Sequence, residues 1–333
     1  MRLLVTGGAG FIGSNFVHYW LGRYPEDHVV VYDLLTYAGN RASLVEVEDR
    51  IVFVEADIAD REAAERALRE EQVEVVVNFA AESHNSLAVV DPSRFFRTNV
   101  LGTQVLLDAS RAAGVERFHH VSTCEVYGDL PLDSDEVFTE ESPYRPRTPY
   151  NASKAGADHA VRAYFETFGL PVTITNCSNN YGPFQFPEKV IPLFTTNALD
   201  DVPLPMYAST QNKREWLHVL DHCAAIDLVL RRGRAGETYN VGSGVEATIE
   251  EIADLVLELT GKPSSLKAIV PDRPGHDRRY LLDSAKIHRE LHWEPAHEWR
   301  DGLVETVEWY TANRDWWGPL KARAPVEETA WSG

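Results

Sequence analysis

The first thirty-three residues constrain the fold more than any other stretch. An apolar run, Arg2-Leu3-Leu4-Val5-Thr6, ends in Gly7-Gly8-Ala9-Gly10-Phe11-Ile12-Gly13, and residues 14–22 carry a helical pattern. Gly8, Gly10 and Gly13 satisfy G-x-G-x-x-G; Gly7, Gly10 and Gly13 give the wider spacing. Such a strand–turn–helix brings backbone close to a pyrophosphate and aims free N–H groups at it from the helix start. A second apolar run, Val29-Val30-Val31-Tyr32, ends in Asp33, twenty residues after Gly13. A carboxylate there meets a ribose 2′-hydroxyl and repels a 2′-phosphate, which predicts NAD rather than NADP.

The alternation then repeats. Residues 51–54 read as a strand ending near Asp57, a candidate for the adenine end, and 60–71 as an amphipathic helix. Residues 73–79 read as a buried strand, followed by Ala80-Ala81-Glu82-Ser83-His84. Residues 93–113 suit one long helix with Asn99 and Leu106 inward; 118–122 and 172–176 are strands, and 150–168 is a helix. This pattern predicts an α/β, Rossmann-like, doubly wound parallel sheet with ligands at the carboxyl ends of its strands. Beyond about residue 178 prolines interrupt the elements and basic and aromatic side chains gather, as in a smaller lobe that closes over a ligand. The expected division is 1–177, an NAD-binding domain that carries the catalytic residues; 178–321, a substrate-binding lobe; and 322–333, a polar tail. Thr248 is the expected N-cap of a helix over 248–260, and a further helix is expected over 301–313.

Catalytic chemistry is expected where strand 118–122 runs out. Tyr150 and Lys154 are four apart and share a helix face. A lysine ammonium beside a phenol lowers its pKa, and a phenolate is a general base for oxidising an alcohol. Thr123 can share that alcohol's proton, Glu125 is a second base, and Cys124 is a weak acid. Net charge is −19, from 51 acidic and 32 basic residues, which argues against nucleic acid or an anionic membrane as partner. Three cysteines, Cys124, Cys177 and Cys223, lack metal-ligand spacing, so no metal is expected, and so sparse a set fits a reducing compartment. No apolar run approaches a membrane span and no signal peptide is apparent, so the reading is a soluble, cytoplasmic protein.

Several blocks together carry a resemblance: Thr6 to Gly13, Leu35 to Asn40, Ala80 to His84, Glu125 to Leu130, Tyr150 to Lys154, Asn176 to Pro183, Phe186 to Pro192, Arg214 to Leu217 and Asp272 to Tyr280. Over nearly its whole length the chain resembles the extended short-chain dehydrogenases/reductases that act on nucleotide sugars, and most closely their dTDP-glucose 4,6-dehydratase branch. The resemblance implies that Gly7, Gly10, Phe11, Ile12, Gly13, Asp33, Thr36, Asp57, Ile58, Ala80, Ala81, Asn99, Tyr150 and Lys154 hold NAD. It implies that His84, Asn85, Asn179, Lys189, Val190, Tyr207, Arg214, Asn240, Arg273 and His276 line the site of a dTDP- or UDP-hexose. It also implies a homodimer packed through helices 93–113 and 150–168. In the implied reaction Tyr150, with Thr123 and Lys154, oxidises the sugar at C4; Glu125 removes the C5 proton; water leaves from C6; and the hydride returns to C6.

Two departures fall beside the sugar. The family's Thr-Asp-Glu, whose aspartate is the acid for the C6 hydroxyl, is here Thr123-Cys124-Glu125. The usual His-Val-Asp-Arg-Ser is here His84-Asn85-Ser86-Leu87-Ala88. Three reactions therefore stay open: 4,6-dehydration; 5,6-dehydration to an exo-glycal with hydride returned to C4, since a Thr-Cys-Glu triplet resembles that branch; and C4 epimerisation or decarboxylation. A non-catalytic NAD- or nucleotide-sugar-binding protein is the reading from a different class.

Overall fold

Alternate residues of the first strand, β1 (Arg2–Thr6), face opposite ways, and both faces are covered. Leu4 packs into a core with residues of α2 (Arg61–Glu70), α5 (Thr103–Ala113) and α6 (Pro149–Phe168). Leu3 and Val5 pack on the other side with α1 (Phe11–Arg23) and α8 (Val219–Arg232). A strand buried on both faces is why these segments are continuous runs of Val, Leu and Ile. The structure, a computed structural model, describes residues 1–323. The expected tail lies, from 324 on, outside the described residues.

The strands β2 (His28–Asp33), β3 (Ile51–Glu55), β4 (Val75–Asn78), β5 (Arg117–Thr123), β6 (Val172–Cys177) and β10 (Thr238–Val241) complete a seven-stranded sheet in the order β10-β6-β5-β4-β1-β2-β3. Every pairing in it is parallel. The order reverses direction between β1 and β4, which opens a crevice at their carboxyl ends. Gly7 sits there with φ +66°, and a Cβ on it would lie 2.7 Å from the Ala80 nitrogen. The fold is thus the expected doubly wound one. Its edge strand β10 comes from beyond residue 178, and α8 packs on α1, so the chain between 219 and 241 returns to the first domain.

The rest of the second lobe is built from β7 (Asn179–Tyr181), α7 (Val190–Leu199), β8 (Leu204–Tyr207), β9 (Lys213–His218), β11 (Glu246–Thr248), α9 (Ile249–Thr260), β12 (Lys267–Val270), α10 (Ala285–Leu291), α11 (Trp299–Ala312) and α12 (Arg314–Lys321). Its own core holds Ile191, Phe194, Met206, Trp216, Ile252 and Leu303. Thr248 caps α9 reciprocally: its hydroxyl accepts from Glu251 N at 3.1 Å, and Glu251 Oε2 accepts from Thr248 N at 2.7 Å.

The single long helix expected over 93–113 differs in detail. A short helix α3 (Asn85–Val90) precedes α4 (Pro92–Phe95), and residues 96–102 form wide π-type turns before α5 begins. Inside those turns Asn99 is committed inward. It accepts from Glu82 N at 2.8 Å and donates to Glu82 O and Ser153 Oγ. Satisfying that amide ties the helix to the strand-end loop, a common setting for π-turns beside functional sites.

Candidate active site

A single cavity runs along the carboxyl ends of β1, β2, β4, β5 and β6. Of the residues expected at the cofactor, Gly7, Gly10, Phe11, Ile12, Gly13, Asp33, Thr36, Asp57, Ile58, Ala80 and Ala81 line it. The turn is tight enough that a Cβ at Gly13 would collide with the Gly7 carbonyl oxygen. Asp33 is held at the end of β2 by Ala9 N (3.0 Å to Oδ2) and Leu35 N (2.8 Å to Oδ1). Each oxygen keeps a lone pair for a ribose hydroxyl. These residues fit a dinucleotide without a 2′-phosphate. Asn99 is the exception: its amide is spent on Glu82 and Ser153, so it braces the wall from behind instead of lining it.

Thr123, Glu125, Tyr150 and Lys154 line the same cavity. Thr123 is the last residue of β5; its hydroxyl accepts from Glu125 N at 3.3 Å and turns the chain so that Glu125 faces inward. Tyr150 stands in the first turn of α6, with Pro149 at the helix start and Thr148 as N-cap. The pairing of Lys154 with the phenol is not as the sequence suggested. Lys154 Nζ donates to Val121 O at 2.7 Å and lies 3.3 Å from His120 Nε2. Burial draws its pKa down to about 8, opposed by Asp158. Burial pushes the Tyr150 phenol well above its usual range, Glu125 adds to that, and the Thr123 hydroxyl opposes it. The Lys154 ammonium is aimed at the Val121 carbonyl, and burial leads the shift of the phenol.

Cys124 does not line the cavity. Its side chain is 1% exposed and packs with Val126, Tyr127, Ala155, Tyr280 and Leu282. Burial, then the charge of Glu125, pushes its thiol well above the ordinary range. A thiol so held is a poorer proton donor than the sequence alone implied.

At the far end stand the groups expected for a diphosphate. Lys189 caps α7, with Val190 its first residue, and donates to Ser83 O at 2.8 Å. Asn179 and Lys189 line the cavity. The Arg214 guanidinium is buried, donates among the described residues only to the carbonyls of Lys213, Asp277 and Arg278, and lies 4.5 Å over the Tyr280 ring. The Nε of Arg273 is buried without a hydrogen-bond partner among the described residues. His84 and His276 report the resulting positive field. Burial lowers each pKa to about 3, with Lys189 and Arg273 contributing at His84, and Arg214 and Arg273 at His276. Tyr207 meets His276 edge-on at 5.0 Å. Asn85 donates to Glu125 instead of standing free at the sugar. Asn240 is a correction: it lies in β10, where its amide accepts from Tyr127 OH at 2.9 Å and donates to Phe138 O at 2.9 Å. The edge strand carries it into the packing under the 138 loop, away from the cavity.

Sequence reasoning missed Glu188 and Asp277. Glu188 lines the cavity, accepts from Tyr37 OH at 3.0 Å, and is pushed by burial to about 7. Asp277 is buried, accepts from Asn151 Nδ2, and is pushed to about 7 by burial and then Glu125. Both stand beside basic residues in the sequence, where an acid reads as a surface ion pair. Away from the cavity, His218, His297 and Glu305 bring potential metal ligands within 4.8 Å of one another. The two imidazoles are stacked, with centroids 3.9 Å apart, so their lone pairs do not converge on one ion. Among the described residues no helix is long and apolar enough to cross a membrane.

Glycine turn, ribose carboxylate, and threonine, tyrosine and lysine on one wall define an extended short-chain dehydrogenase/reductase built for a diphosphate-linked substrate. The family model described as GDP-mannose 4,6 dehydratase matches residues 4–306, and the chain belongs to that nucleotide-sugar family. It is 48% identical to a dTDP-glucose 4,6-dehydratase of Streptomyces niveus, over 100% of this chain and 99% of that one. The solved dTDP-glucose 4,6-dehydratase of Streptomyces venezuelae with NAD and TYD bound matches with a TM-score of 0.93. It is 52% identical and covers 96% of this chain and 100% of its own. A UDP-glucose 4-epimerase of Thermus thermophilus in complex with NAD matches at a TM-score of 0.87 with 34% identity, over 94% and 100%.

Proposed function

We propose that this chain is an NAD-dependent nucleotide-sugar dehydratase acting on dTDP-glucose: C4 oxidation, loss of water across C5–C6, and return of the hydride to C6. The observation that carries this reading is the convergence of Thr123, Glu125, Tyr150 and Lys154 on the wall of the cavity that also holds the dinucleotide cradle and Lys189. An epimerase needs no carboxylate at C5; Glu125 on that wall favours a dehydratase.

Oxidised NAD, when bound, supplies the hydride acceptor and a positive charge beside the phenol. Tyr150, with its oxygen beside Thr123, takes the C4 hydroxyl proton. Lys154 holds the end of β5 through Val121 and keeps positive charge behind the site. With C4 a ketone, the C5 proton becomes acidic, and Glu125 is the carboxylate placed to accept it. The C5–H electron pair forms the C5–C6 double bond as the C6–O bond breaks. Cys124 is packed away from the cavity, so the proton that Glu125 has taken is the one nearest the departing oxygen. Given back, it makes water and restores the carboxylate; with hydride returned to C6, C5 takes up a solvent-derived proton and the C4 ketone remains.

The withdrawn Cys124 is the one feature that favours the second reading, in which the hydride returns to C4 and an exo-glycal remains. Incubation with dTDP-glucose, then UDP-sugars, followed by mass and NMR of the product, tests both. A 4-keto-6-deoxy sugar one water lighter is expected. An alkene lacking a ketone establishes the second reading, and an isomer of unchanged mass or no reaction overturns both. The same reading includes a homodimer, since Phe96 and Leu101 in the π-type turns before α5 are large apolar side chains 44% and 50% exposed. A cytoplasmic location fits three buried free thiols.

A further inference from the structure

The amide of Asn85 is fixed at both ends. The Thr148 hydroxyl donates to Asn85 Oδ1 at 3.1 Å, and Asn85 Nδ2 donates to Glu125 Oε2 at 3.1 Å. Thr148 is the N-cap of α6, and its oxygen accepts from Asn151 N at 3.2 Å. Its single proton is therefore committed to Asn85, which fixes the amide oxygen toward Thr148 and the NH2 toward the carboxylate. The flipped amide would set oxygen against carboxylate oxygen. A chain of two hydrogen bonds thus joins Glu125 to the first turn of the helix that carries Tyr150.

We propose that Asn85 is a positioning residue for Glu125, holding Oε2 so that the carboxylate meets C5 in register with the Tyr150 oxygen at C4. The proposal rests on the reading of Glu125 as the C5 base. It does not touch C4 oxidation, which belongs to Tyr150 and Thr123. A hydrogen bond donated to a carboxylate also favours its charged form. The groups around Glu125 are Cys124, Tyr150, Cys177, Asp277 and Tyr280, whose ionisation its charge opposes, and the Arg214 cation, which favours ionisation of Cys124, Asp277 and Tyr280. The apolar residue usual at position 85 offers no such donor, so removing the amide isolates its effect.

The test uses the NAD-loaded enzyme with dTDP-glucose in D2O. It reads C4 oxidation as transient NADH absorbance and C5 chemistry as deuterium incorporation. In Asn85→Val the ratio of C5 exchange to C4 oxidation is expected to fall about ten- to hundredfold, the cost of a misplaced reacting group. Thr148→Val should lower the same ratio, and Thr148→Ser, which keeps the hydroxyl, should not. Equal slowing of both steps, or an unmoved ratio, overturns the proposal. If the wild-type enzyme gives neither NADH nor exchange, the proposed function fails by itself. The positioning role is then decided by crystal structures of the two proteins, wild type and Asn85→Val: a Glu125 carboxylate displaced in Asn85→Val with the backbone unmoved supports it, and an unmoved carboxylate overturns it.

Discussion

Lys154 is buried at the carboxyl end of the sheet, and the protein carries its charge at a cost. The ammonium has its pKa drawn from 10.5 down to about 8, with burial the leading cause. Below pH 8 the group is protonated in folded and unfolded chains alike, and the penalty is full. Between pH 8 and 10.5 the unfolded chain holds the proton and the folded chain does not, so stability rises with pH through that window. A shift of this size is worth about 3 kcal/mol at neutral pH. Lys154→Met removes the charge and keeps the stem, but forfeits the bond to Val121 O, which costs about 1 kcal/mol. The variant should therefore be about 2 kcal/mol more stable than wild type at pH 7, or about 3 °C in Tm for a chain of this length. Asp158, already held above its usual range by burial, keeps the Ser122 and Tyr144 hydroxyls when the lysine is gone. The assay is thermal unfolding of NAD-stripped protein at pH 7 and pH 10. The advantage of the methionine should shrink and then reverse as pH rises, while C4 oxidation is lost throughout. A variant less stable than wild type at pH 7, or a difference that ignores pH, refutes the reasoning.

Tyr150→Phe should slow C4 oxidation by about 10²- to 10⁴-fold, read as the disappearance of transient NADH absorbance. Gly13→Ala drives a methyl into the Gly7 carbonyl oxygen; at about 1–3 kcal/mol for such overpacking, NAD should bind about ten- to hundredfold more weakly by fluorescence titration. Cys124→Asp puts a longer and stronger acid beside Glu125; a raised rate of dehydration is the result if that acid reaches the C6 hydroxyl, and an unchanged rate is the result if position 124 stays turned from the cavity. The new carboxylate is buried among apolar side chains near Glu125 and Glu215, so Tm should fall, and fall further as pH rises. His276, with its pKa near 3, should titrate at least about one unit higher when thymidine diphosphate enters beside Arg214 and Arg273, and thymidine alone should leave it unmoved in the NMR titration.

The sheet was legible because its signals are local and redundant. Most strands are runs of residues buried on both faces, the edge strand β3 excepted, and the turns after β1, β2 and β5 carry a residue with a reason to be there, as Gly7, Asp33 and Thr123 do. The capping box at Thr248 is likewise written in four consecutive residues. What was not legible depends on partners far apart in sequence. Lys154 looked like the partner of Tyr150 from their spacing, but a spacing of four places only the stems. The carbonyl of Val121 and the imidazole of His120 decide where the ammonium goes. Asn240 sat in a run that resembles the nucleotide site, and the pairing of β10 with β6 carried it into the packing beneath Phe138. Asp277 and Asn85 acquire their roles only when the 272–280 loop and the loop after β4 close on α6.

The two departures from the family pattern are physically coupled. An aspartate at 124 would bury a second carboxylate against Glu125 and near Glu215, with Arg214 as the opposing charge. A thiol there removes that repulsion and leaves an apolar contact with Tyr127, Ala155 and Tyr280. It also removes a neighbour that could have fixed Glu125 by sharing a proton. Asn85 supplies the missing constraint from the opposite side: a neutral donor, oriented by Thr148, that adds no charge to a wall already holding Glu125 and Asp277. On this argument a Cys124→Asp enzyme that keeps Asn85 has one carboxylate more than its donors were arranged for. Adding Asn85→Val to it should then change the C5 step by a different factor than adding Asn85→Val to the wild type. Two substitutions that touch the same carboxylate are expected to be non-additive, and strict additivity would mean that position 124 and Asn85 act on the sugar independently.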